Sequence, residues 1–412
     1  MLQYYYMTLD FEKLSEKVDE MARTAHGRMQ TLSGRTAEVL AFMRDNATEW
    51  EAIQRQDEYV ANNILGMNQP KPFRGSARPL NYNGHGLDSR FPFEVGQLPA
   101  EATIIAADGS QIVPDRHNPF VYYLVNIGGI VYHHGKGQVP ETFTEPTLEF
   151  PEIDELESHR FNDYASVTIQ RDLGEIDMLA FQANEYKRDN LPLLTMMDQR
   201  LLYVPTGEIA PQFKEQVVQE WQGHMQRIQQ SGAWLAGYID SPMKDSVVRM
   251  LRGIHPDRKQ DDPNDLGEWY GLTDADLFSQ LLAPGERSKL FMDVSFANNR
   301  FRKPNQVCFF YLNPGRFGQN IARVDLPQWV AQNDAAVAAI HALIYDQCQI
   351  MGNYPYVITR ADEMAVVKRR DQEELEFRIG RKMDAYGVDV NMTAKAQTKE
   401  FARSDKRRHE SF

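Results

Sequence analysis

The stretch Thr103–Ser110, TIIAADGS, is a short apolar run that ends in an acid, a glycine and a serine. A run of this length and composition predicts a buried strand. Such a strand brings the carboxylate of Asp108 to the rim of a sheet, where Gly109 allows a turn and the close approach of a ligand. An Asp-Gly pair alone is ordinary turn chemistry. Only further acids at the same rim would make the stretch a candidate site.

Other apolar runs of the chain also end in an aspartate. The runs 193–197, 234–239 and 289–292 are followed by Asp198, Asp240 and Asp293. If these runs are neighbouring strands, several carboxylates meet at one sheet edge. Crowded carboxylates repel one another unless a cation lies between them, so the pattern predicts a metal site. Asp293 and Asp325 are interpreted as structural.

Composition sets bounds on the class of protein. The chain has 412 residues with 42% hydrophobic content, which suffices for a buried core in one large α/β domain with extensions or in two or three units. The net charge of −13 is unlike that of a basic nucleic-acid binder. Local patches of Lys and Arg can nevertheless bind phosphate, so nucleic acid is not excluded.

Cysteine usage and the apolar segments predict the compartment. Cys308 and Cys348 have neither metal-ligand spacing nor the number expected of a disulfide framework, which fits the reducing cytoplasm. The first residues lack the features of a secretory signal. No apolar run approaches the ~20 residues that a membrane span requires. We expect a soluble, cytoplasmic protein without a membrane partner.

The chain divides into four segments. Residues 1–66 form a predicted N-terminal helical extension with breaks at Gly27 and Ser33-Gly34, either a cap on the main domain or a dimerisation arm. Residues 67–100, rich in Pro, Gly and Asn, form a linker that wraps the core. Residues 101–380 form the main domain. Residues 381–412 are a polar, mildly basic tail, which either tracks a nucleic-acid backbone or is simply solvated.

The main domain alternates strands and helices. After the Asp108 strand, Gly128-Gly129 predicts a hairpin between strands at 120–127 and 130–134, and 135–160 is a Pro/Glu-rich excursion. Helices are then predicted at 161–189, at 211–230, from Ser241-Pro242, at 328–350 and at 360–382. Alternation implies parallel pairing beside the antiparallel meander. The fold class is α/β, with a ribonuclease H-like mixed sheet flanked by helices.

That plan brings acids from the first strand, the first helix and the next strand together around divalent metal. Here they would be Asp108, Glu175 and Asp198. Arg171 lies one helical turn before Glu175 and can pair with it, although a plain surface ion pair is the alternative. Hard carboxylate ligands suit Mn²⁺ or Mg²⁺. Two such ions hydrolyse a phosphodiester by activating water and stabilising the leaving oxygen.

The sequence resembles the NurA nuclease family in several motifs, in the family's order. They are 106–110 (AADGS), Arg171 to Glu175, 194–198 (LTMMD), 235–239 (LAGYI), 323–329 (RVDLPQW), 354–356 (YPY) and 360–365 (RADEMA). The resemblance implies a homodimeric, Mn²⁺-dependent 5′-to-3′ exonuclease and single-strand endonuclease that processes DNA ends with the hexameric translocase HerA. It also implies that Asp108, Glu175 and Asp198 ligate metal.

Two positions depart from the family pattern. Asp362 lies where the family usually has a histidine, and Gln199 lies where glycine is more usual. An aspartate can still bind a hard cation, so Asp362 is included among the predicted metal ligands. It cannot perform the proton chemistry of a neutral imidazole near pH 7. The substitution therefore leaves open a catalytically weakened homologue that binds DNA ends or adapts a motor.

Three residues are candidate substrate contacts. Lys244 follows the Asp240 strand and can reach a phosphate, although an exposed lysine is commoner. The other two are Arg171, one helical turn before Glu175, and Asp240, which shares the pattern of an acid at a strand end. A sugar-kinase-like or actin-like ATPase also begins with an Asp-Gly turn and a meander, but residues 313–318 match its second glycine-rich turn poorly.

Overall fold

The computed structural model describes residues 11–66, 72–82, 84–114, 121–150, 164–188, 191–207, 209–259, 262–315 and 320–388. The strands of these ranges form one mixed sheet. They are β1 (Ser76–Pro79), β2 (Arg90–Pro92), β3 (Ala102–Ile112), β4 (Tyr123–His134), β5 (Glu141–Glu149), β6 (Leu193–Met197), β7 (Trp234–Ile239), β8 (Glu286–Ser288), β9 (Phe291–Val294), β10 (Val307–Leu312) and β11 (Ala322–Pro327).

Helices cover both faces and one end of the sheet. They are α1 (Phe11–Asp45), α2 (Trp50–Val60), α3 (Tyr164–Glu185), α4 (Pro211–Ser231), α5 (Ser246–Ile254), α6 (Asp274–Leu281), α7 (Phe296–Asn299), α8 (Gln328–Ala331), α9 (Asp334–Met351), α10 (Tyr356–Ala365) and α11 (Arg369–Ala385). None of the helices described is both long and apolar enough to cross a membrane.

The strand order has the predicted ribonuclease H-like centre. The sheet runs β1-β9-β10-β11-β7-β6-β3-β4-β5. Strands β3, β4 and β5 are an antiparallel meander. Strand β6 pairs parallel to β3, and β7 pairs parallel to β6. Strands β6 and β7 therefore end at one edge, each followed by its acid. Strand β3 continues through Asp108 and Gly109 to Ile112, so the predicted strand end and turn there are wrong, although the register with β6 places Asp108 level with Asp198.

The predicted hairpin at Gly128-Gly129 is wrong, because both glycines lie inside the continuous strand β4. A Cβ on Gly128 would meet the backbone nitrogen of Ala365 at 2.2 Å, and one on Gly129 would meet the carbonyl oxygen of Ala106 at 2.4 Å. These glycines allow close packing instead of a turn. The third strand of the meander is β5, within the segment predicted as an irregular excursion.

Side chains of β3 alternate between the two faces of the sheet. Ile104 and Ala106 belong to the core beneath α9 and α10, whereas Ile105 and Ala107 belong to the core beneath α3 and α4. By the same period of two, Asp108 faces the α10 side and Gly109 faces α3. The strand thus presents its carboxylate and its glycine to different helices.

The helices of the N-terminal extension have fewer breaks than predicted. Helix α1 continues through Gly27 and Gly34, and a π-helical turn at Ala61–Leu65 extends α2. A glycine costs an exposed helix only about 1 kcal/mol, which a long helix tolerates. Val39 and Met43 are buried against α5 and α6, so this end of α1 caps the main domain. Residues 11–27 of α1 are exposed, and the dimerisation arm stays a prediction.

Some other predicted boundaries need correction. The predicted linker includes β1 and β2, which pair with β9 and β8. Helix α5 begins at Ser246 instead of Ser241-Pro242, because Ser241 has a φ of 48° that ends the strand in a loop. The helix predicted at 328–350 is divided by Asn333, which caps α9. The helix predicted at 360–382 is α10 and α11. Residues 389–412 of the predicted tail lie outside the described ranges.

Candidate active site

Asp108 lies near the end of β3 and is only partly exposed. Burial is the main cause that raises the pKa of its carboxyl to about 6. The Gly109 backbone N–H donates to Oδ1 at 2.7 Å and lowers that pKa, while the charges of Asp362 and Asp198 raise it. The carboxylate of Asp108 is therefore electrostatically coupled to acids from another helix and another strand.

Glu175 lies on α3 and is 4% exposed. Burial, followed by the charges of Asp108 and Asp172, raises its pKa well above the ordinary value. Arg171 contacts Oε1 at 3.3 Å and the Gln199 amide donates to Oε2 at 2.7 Å, and both lower that pKa. The Arg171–Glu175 pair was predicted, but the alternative of a surface ion pair is wrong because the glutamate is buried.

Gly109 allows this part of α3 to approach the strand. A Cβ at Gly109 would lie 2.5 Å from Cγ of Arg171 and 2.7 Å from Oε1 of Glu175. Arg171 also donates to Oδ1 of Asp172 at 2.6 Å, and the Tyr203 hydroxyl donates to the other oxygen of Asp172 at 2.9 Å. Arg171 therefore serves mainly to hold two carboxylates of the helix in place.

Asp198 follows β6 and is exposed, yet surrounding protein atoms desolvate its carboxyl and raise its pKa. The Tyr354 hydroxyl donates to Asp198 and lowers that pKa, whereas Asp240 and Asp362 raise it. Asp240, which follows β7, is exposed and accepts a 2.9 Å hydrogen bond from the amide of Asn320. The strand-end acids of β6 and β7 thus meet as predicted.

Asp362 reaches the same edge from α10. The carbonyl of Ala365, at the end of that helix, accepts from the Ser110 hydroxyl at 2.5 Å and the Asn126 amide at 2.7 Å. Gly128 leaves the space that this contact requires. These bonds fasten α10 to β3 and β4, so Asp362 is held where its charge acts on Asp108 and Asp198.

The donor set fits a hard divalent cation in chemistry and in charge. Asp108, Glu175, Asp198 and Asp362 offer only carboxylate oxygens, and their mutual repulsion would be relieved by a cation. Their present arrangement is not a finished metal cage. Across the ranges that the structure describes, no three His, Cys, Asp or Glu side chains are grouped to hold an ion. Both oxygens of Glu175 are engaged by Arg171 and Gln199.

Asp293 does not join this cluster, although its apolar run resembles the others. It is buried in β9, where Arg200 contacts it at 3.2 Å and Arg323 at 3.4 Å. Asp325 is likewise buried and accepts from Arg323 at 2.6 Å. Strand β9 belongs to the other end of the sheet, so the expected convergence of its acid is wrong and the structural interpretation of both residues fits.

Gln199 and Tyr354 contact the acids of the site, but residue patterns alone did not identify them as site residues. In the sequence, Gln199 stands out only as a departure from a more usual glycine, and Tyr354 only as part of a family motif. Their hydrogen bonds to Glu175 and Asp198 depend on the folded chain. Lys244 does not contact the acids; it lines a cavity beside them with Arg200.

Residues 102–367 match the family model of the NurA domain. The match covers well over half of the sequence, so the chain belongs to the NurA family, the nuclease family that its motifs resemble. Among curated proteins, none matches the sequence.

Solved structures of nucleases are distantly similar. The NurA nuclease from Sulfolobus solfataricus matches with 13% sequence identity and a TM-score of 0.44, and the match covers 69% of this chain and 85% of that chain. The catalytic domain of human Endonuclease V matches with 11% sequence identity and a TM-score of 0.33, and the match covers 72% of this chain and 90% of that chain. A second NurA crystal structure matches with 9% sequence identity and a TM-score of 0.32, and the match covers 82% of this chain and 96% of that chain.

Proposed function

We propose that this protein is a metal-dependent DNA nuclease that hydrolyses phosphodiesters with two Mn²⁺ or Mg²⁺ ions. The observation that carries the proposal is the electrostatic coupling of Asp108 to Glu175, Asp198 and Asp362 beside the carboxyl end of β6. Four carboxylates from separate elements repel one another at this edge. Such repulsion does not stabilise the folded state, and clusters of this kind are typical of functional sites. Membership of the NurA family supports the same activity.

The side chains divide the work between binding and positioning. Asp108, Asp198 and Asp362 would hold the cations directly, and Glu175 would join them by sharing an oxygen now bound by Gln199 or Arg171. When bound, the ions would lower the pKa of the attacking water and neutralise charge on the leaving oxygen. Tyr354 orients Asp198 by its hydrogen bond. Arg171 holds the carboxylates of Glu175 and Asp172 in place by contacting both.

The cellular role follows from the family. We propose a 5′-to-3′ exonuclease and single-strand endonuclease that processes DNA ends as a homodimer in the cytoplasm, with a HerA-type hexameric ATPase supplying movement along DNA. The sequence has no Walker-type phosphate loop of its own, which fits a separate motor.

A second candidate is a weakened homologue that binds DNA ends or adapts a motor without efficient cleavage. Two observations favour it. Asp362 replaces the usual histidine, and Gln199 stands where glycine is more usual. If this candidate holds, the protein binds DNA ends but leaves the phosphodiester intact.

Cleavage of end-labelled single-stranded DNA separates the two candidates. Purified protein is incubated with Mn²⁺, Mg²⁺ or EDTA, beside an Asp108→Ala variant whose folding is checked by circular dichroism. The nuclease proposal expects metal-dependent products that disappear in the variant. Binding without products supports the weakened homologue, and products from the folded variant equal to those of the wild type contradict the role of Asp108.

A further inference from the structure

A cavity of about 470 Å³ opens beside the acidic edge. It lies between the end of β7, the loop that follows Asp240, and the buried part of β11. Its lining carries four cationic side chains and a single acid, which are Arg74, Arg200, Lys244, Arg323 and Asp245. Arg200 follows Asp198 by two positions in the chain, so the basic cavity adjoins the candidate catalytic acids.

Arg323 is an unusual residue to find in such a wall. It is 1% exposed, its Nε donates to Asp325 at 2.6 Å, and its guanidinium lies 3.7 Å from the centre of the Phe309 ring. Its Nη1 is buried without a hydrogen-bond partner, as is Nε of Arg200, in the part of the chain that the structure describes. Unpartnered buried donors are costly, so the two arginines leave unsatisfied hydrogen-bonding capacity behind the cavity wall.

The charges around the cavity do not cancel. Asp293 and Asp325 balance Arg200 and Arg323. Asp245 is bound by Arg249 through both oxygens, at 3.0 and 2.8 Å.

Lys244 and Arg74 complete the charge count. Neither forms an ion pair with another side chain of the described ranges, which leaves two net positive charges. Burial, and next the charge of Arg200, lower the pKa of Lys244, although the charges of Asp293 and Asp245 oppose this.

We propose that this cavity binds the terminal phosphate monoester of a nucleic-acid strand. A phosphate monoester carries about −1.5 to −2 charges at neutral pH and presents three strong acceptor oxygens. A phosphodiester within a strand carries only one charge, so the two uncompensated cations match the strand end better. The nucleic-acid identity of the ligand rests on the proposed nuclease function, whereas the phosphate chemistry does not.

The test measures binding in EDTA, where cleavage cannot interfere. Three single-stranded oligonucleotides of one sequence, labelled on an internal base, carry a 5′-phosphate, a 3′-phosphate or only hydroxyl ends. Fluorescence anisotropy gives the Kd of each for the wild-type protein and for Lys244→Ala, Arg74→Ala and the double variant. Lys187→Ala, which removes an exposed lysine outside the cavity, is the matched control.

We expect the wild type and Lys187→Ala to bind one phosphorylated oligonucleotide about tenfold more tightly than the hydroxyl-ended one. In the double variant that preference disappears, while affinity for hydroxyl ends changes little. Equal binding of all three oligonucleotides by the wild type overturns the proposal, and so does a preference that survives in the folded double variant. Competition by inorganic phosphate without any strand-end preference also overturns it.

The outcome is independent of the nuclease proposal. A protein that prefers phosphorylated ends in EDTA but never cleaves with Mn²⁺ contradicts only the catalytic function. A protein that cleaves but ignores the terminal phosphate contradicts only the assignment of the cavity.

Discussion

The side-chain amide of Gln199 donates a 2.7 Å hydrogen bond to Oε2 of the buried Glu175. Burial raises the pKa of this glutamate well above its ordinary value, and the bond from Gln199 opposes that rise. A donor that stabilises the ionised form keeps the carboxylate available as a ligand. Gln199 is therefore a positioning residue for Glu175.

Gln199→Ala should raise the pKa of Glu175 further, because the charged form loses a donor in a buried place. We expect Mn²⁺-dependent cleavage at pH 7 to fall by about tenfold, the usual effect of one hydrogen bond to a charged group. The acid limb of the pH–rate profile should move to higher pH, so that part of the activity returns at alkaline pH. Gln219→Ala, at an exposed position of α4, is the control. An equal loss at every pH would contradict the positioning role.

Asp362→His should lower the pKa of Asp108, which stands at about 6 partly because of the charge of Asp362. An imidazole removes that repulsion. The acid limb of DNA cleavage should then move down by about half a pH unit to one unit. Asp362→Asn removes the charge without the imidazole and should shift the limb similarly. An unchanged limb in both variants would show that Asp362 does not act on Asp108.

Gly109→Ala should impair activity by displacing α3. The new methyl group would meet Cγ of Arg171 at 2.5 Å and Oε1 of Glu175 at 2.7 Å, so both side chains must move. Overpacking of this kind costs about 1–3 kcal/mol, and a lower melting temperature should accompany weaker cleavage. Gly223→Ala, at an exposed helical position with no neighbour within 4 Å, is the control and should be neutral or stabilising. Full activity of Gly109→Ala would contradict the packing account.

Asp274 should make the protein less stable as pH rises through weakly acidic values. Burial raises its pKa to about 6, although hydrogen bonds from Tyr311 and the backbone of Val248 and Val247 oppose the rise. Between the ordinary value of 3.8 and about 6, the folded state binds the proton more tightly than the unfolded state. The free energy of unfolding therefore falls by up to roughly 3 kcal/mol across that interval and is level above it.

The comparison with Asp274→Asn isolates this contribution. The variant loses acceptor capacity for the three donors and should melt at lower temperature throughout. Its melting temperature should nevertheless decline less than that of the wild type between about pH 4 and pH 6, because the titrating group is gone. Parallel curves for the two proteins would show that the carboxyl of Asp274 does not titrate in this interval.

The order of strands could be predicted because apolar runs with terminal acids are local signals. The runs before Asp198 and Asp240 became β6 and β7 at the predicted places, whereas the run before Asp108 lies in β3, which continues past the acid to Ile112. A meander of three strands was predicted, but its second and third strands were assigned to the wrong residues. Gly128-Gly129 has the composition of a turn, but its role is set by α10, whose residues are distant in sequence.

The contacts that shape the site could not be predicted from spacing. Glu175 was placed on the correct helix by its position beside an apolar stripe, yet its burial and its bond to Gln199 arise only when α3 meets β3 over Gly109. The unpartnered nitrogen of Arg323 is similarly a product of tertiary packing, because its acid partners Asp293 and Asp325 come from different strands.

Direct titration of the protein with Mn²⁺ by calorimetry tests whether these carboxylates form a cation site. We predict saturable binding with release of protons near pH 6, where the carboxyl of Asp108 is partly protonated, and less release at pH 8. Asp108→Asn and Asp198→Asn should each abolish or severely weaken binding, whereas Asp19→Asn on exposed α1 should bind as the wild type does. The absence of saturable Mn²⁺ binding, or undiminished binding by the folded Asp108→Asn variant, would contradict the account.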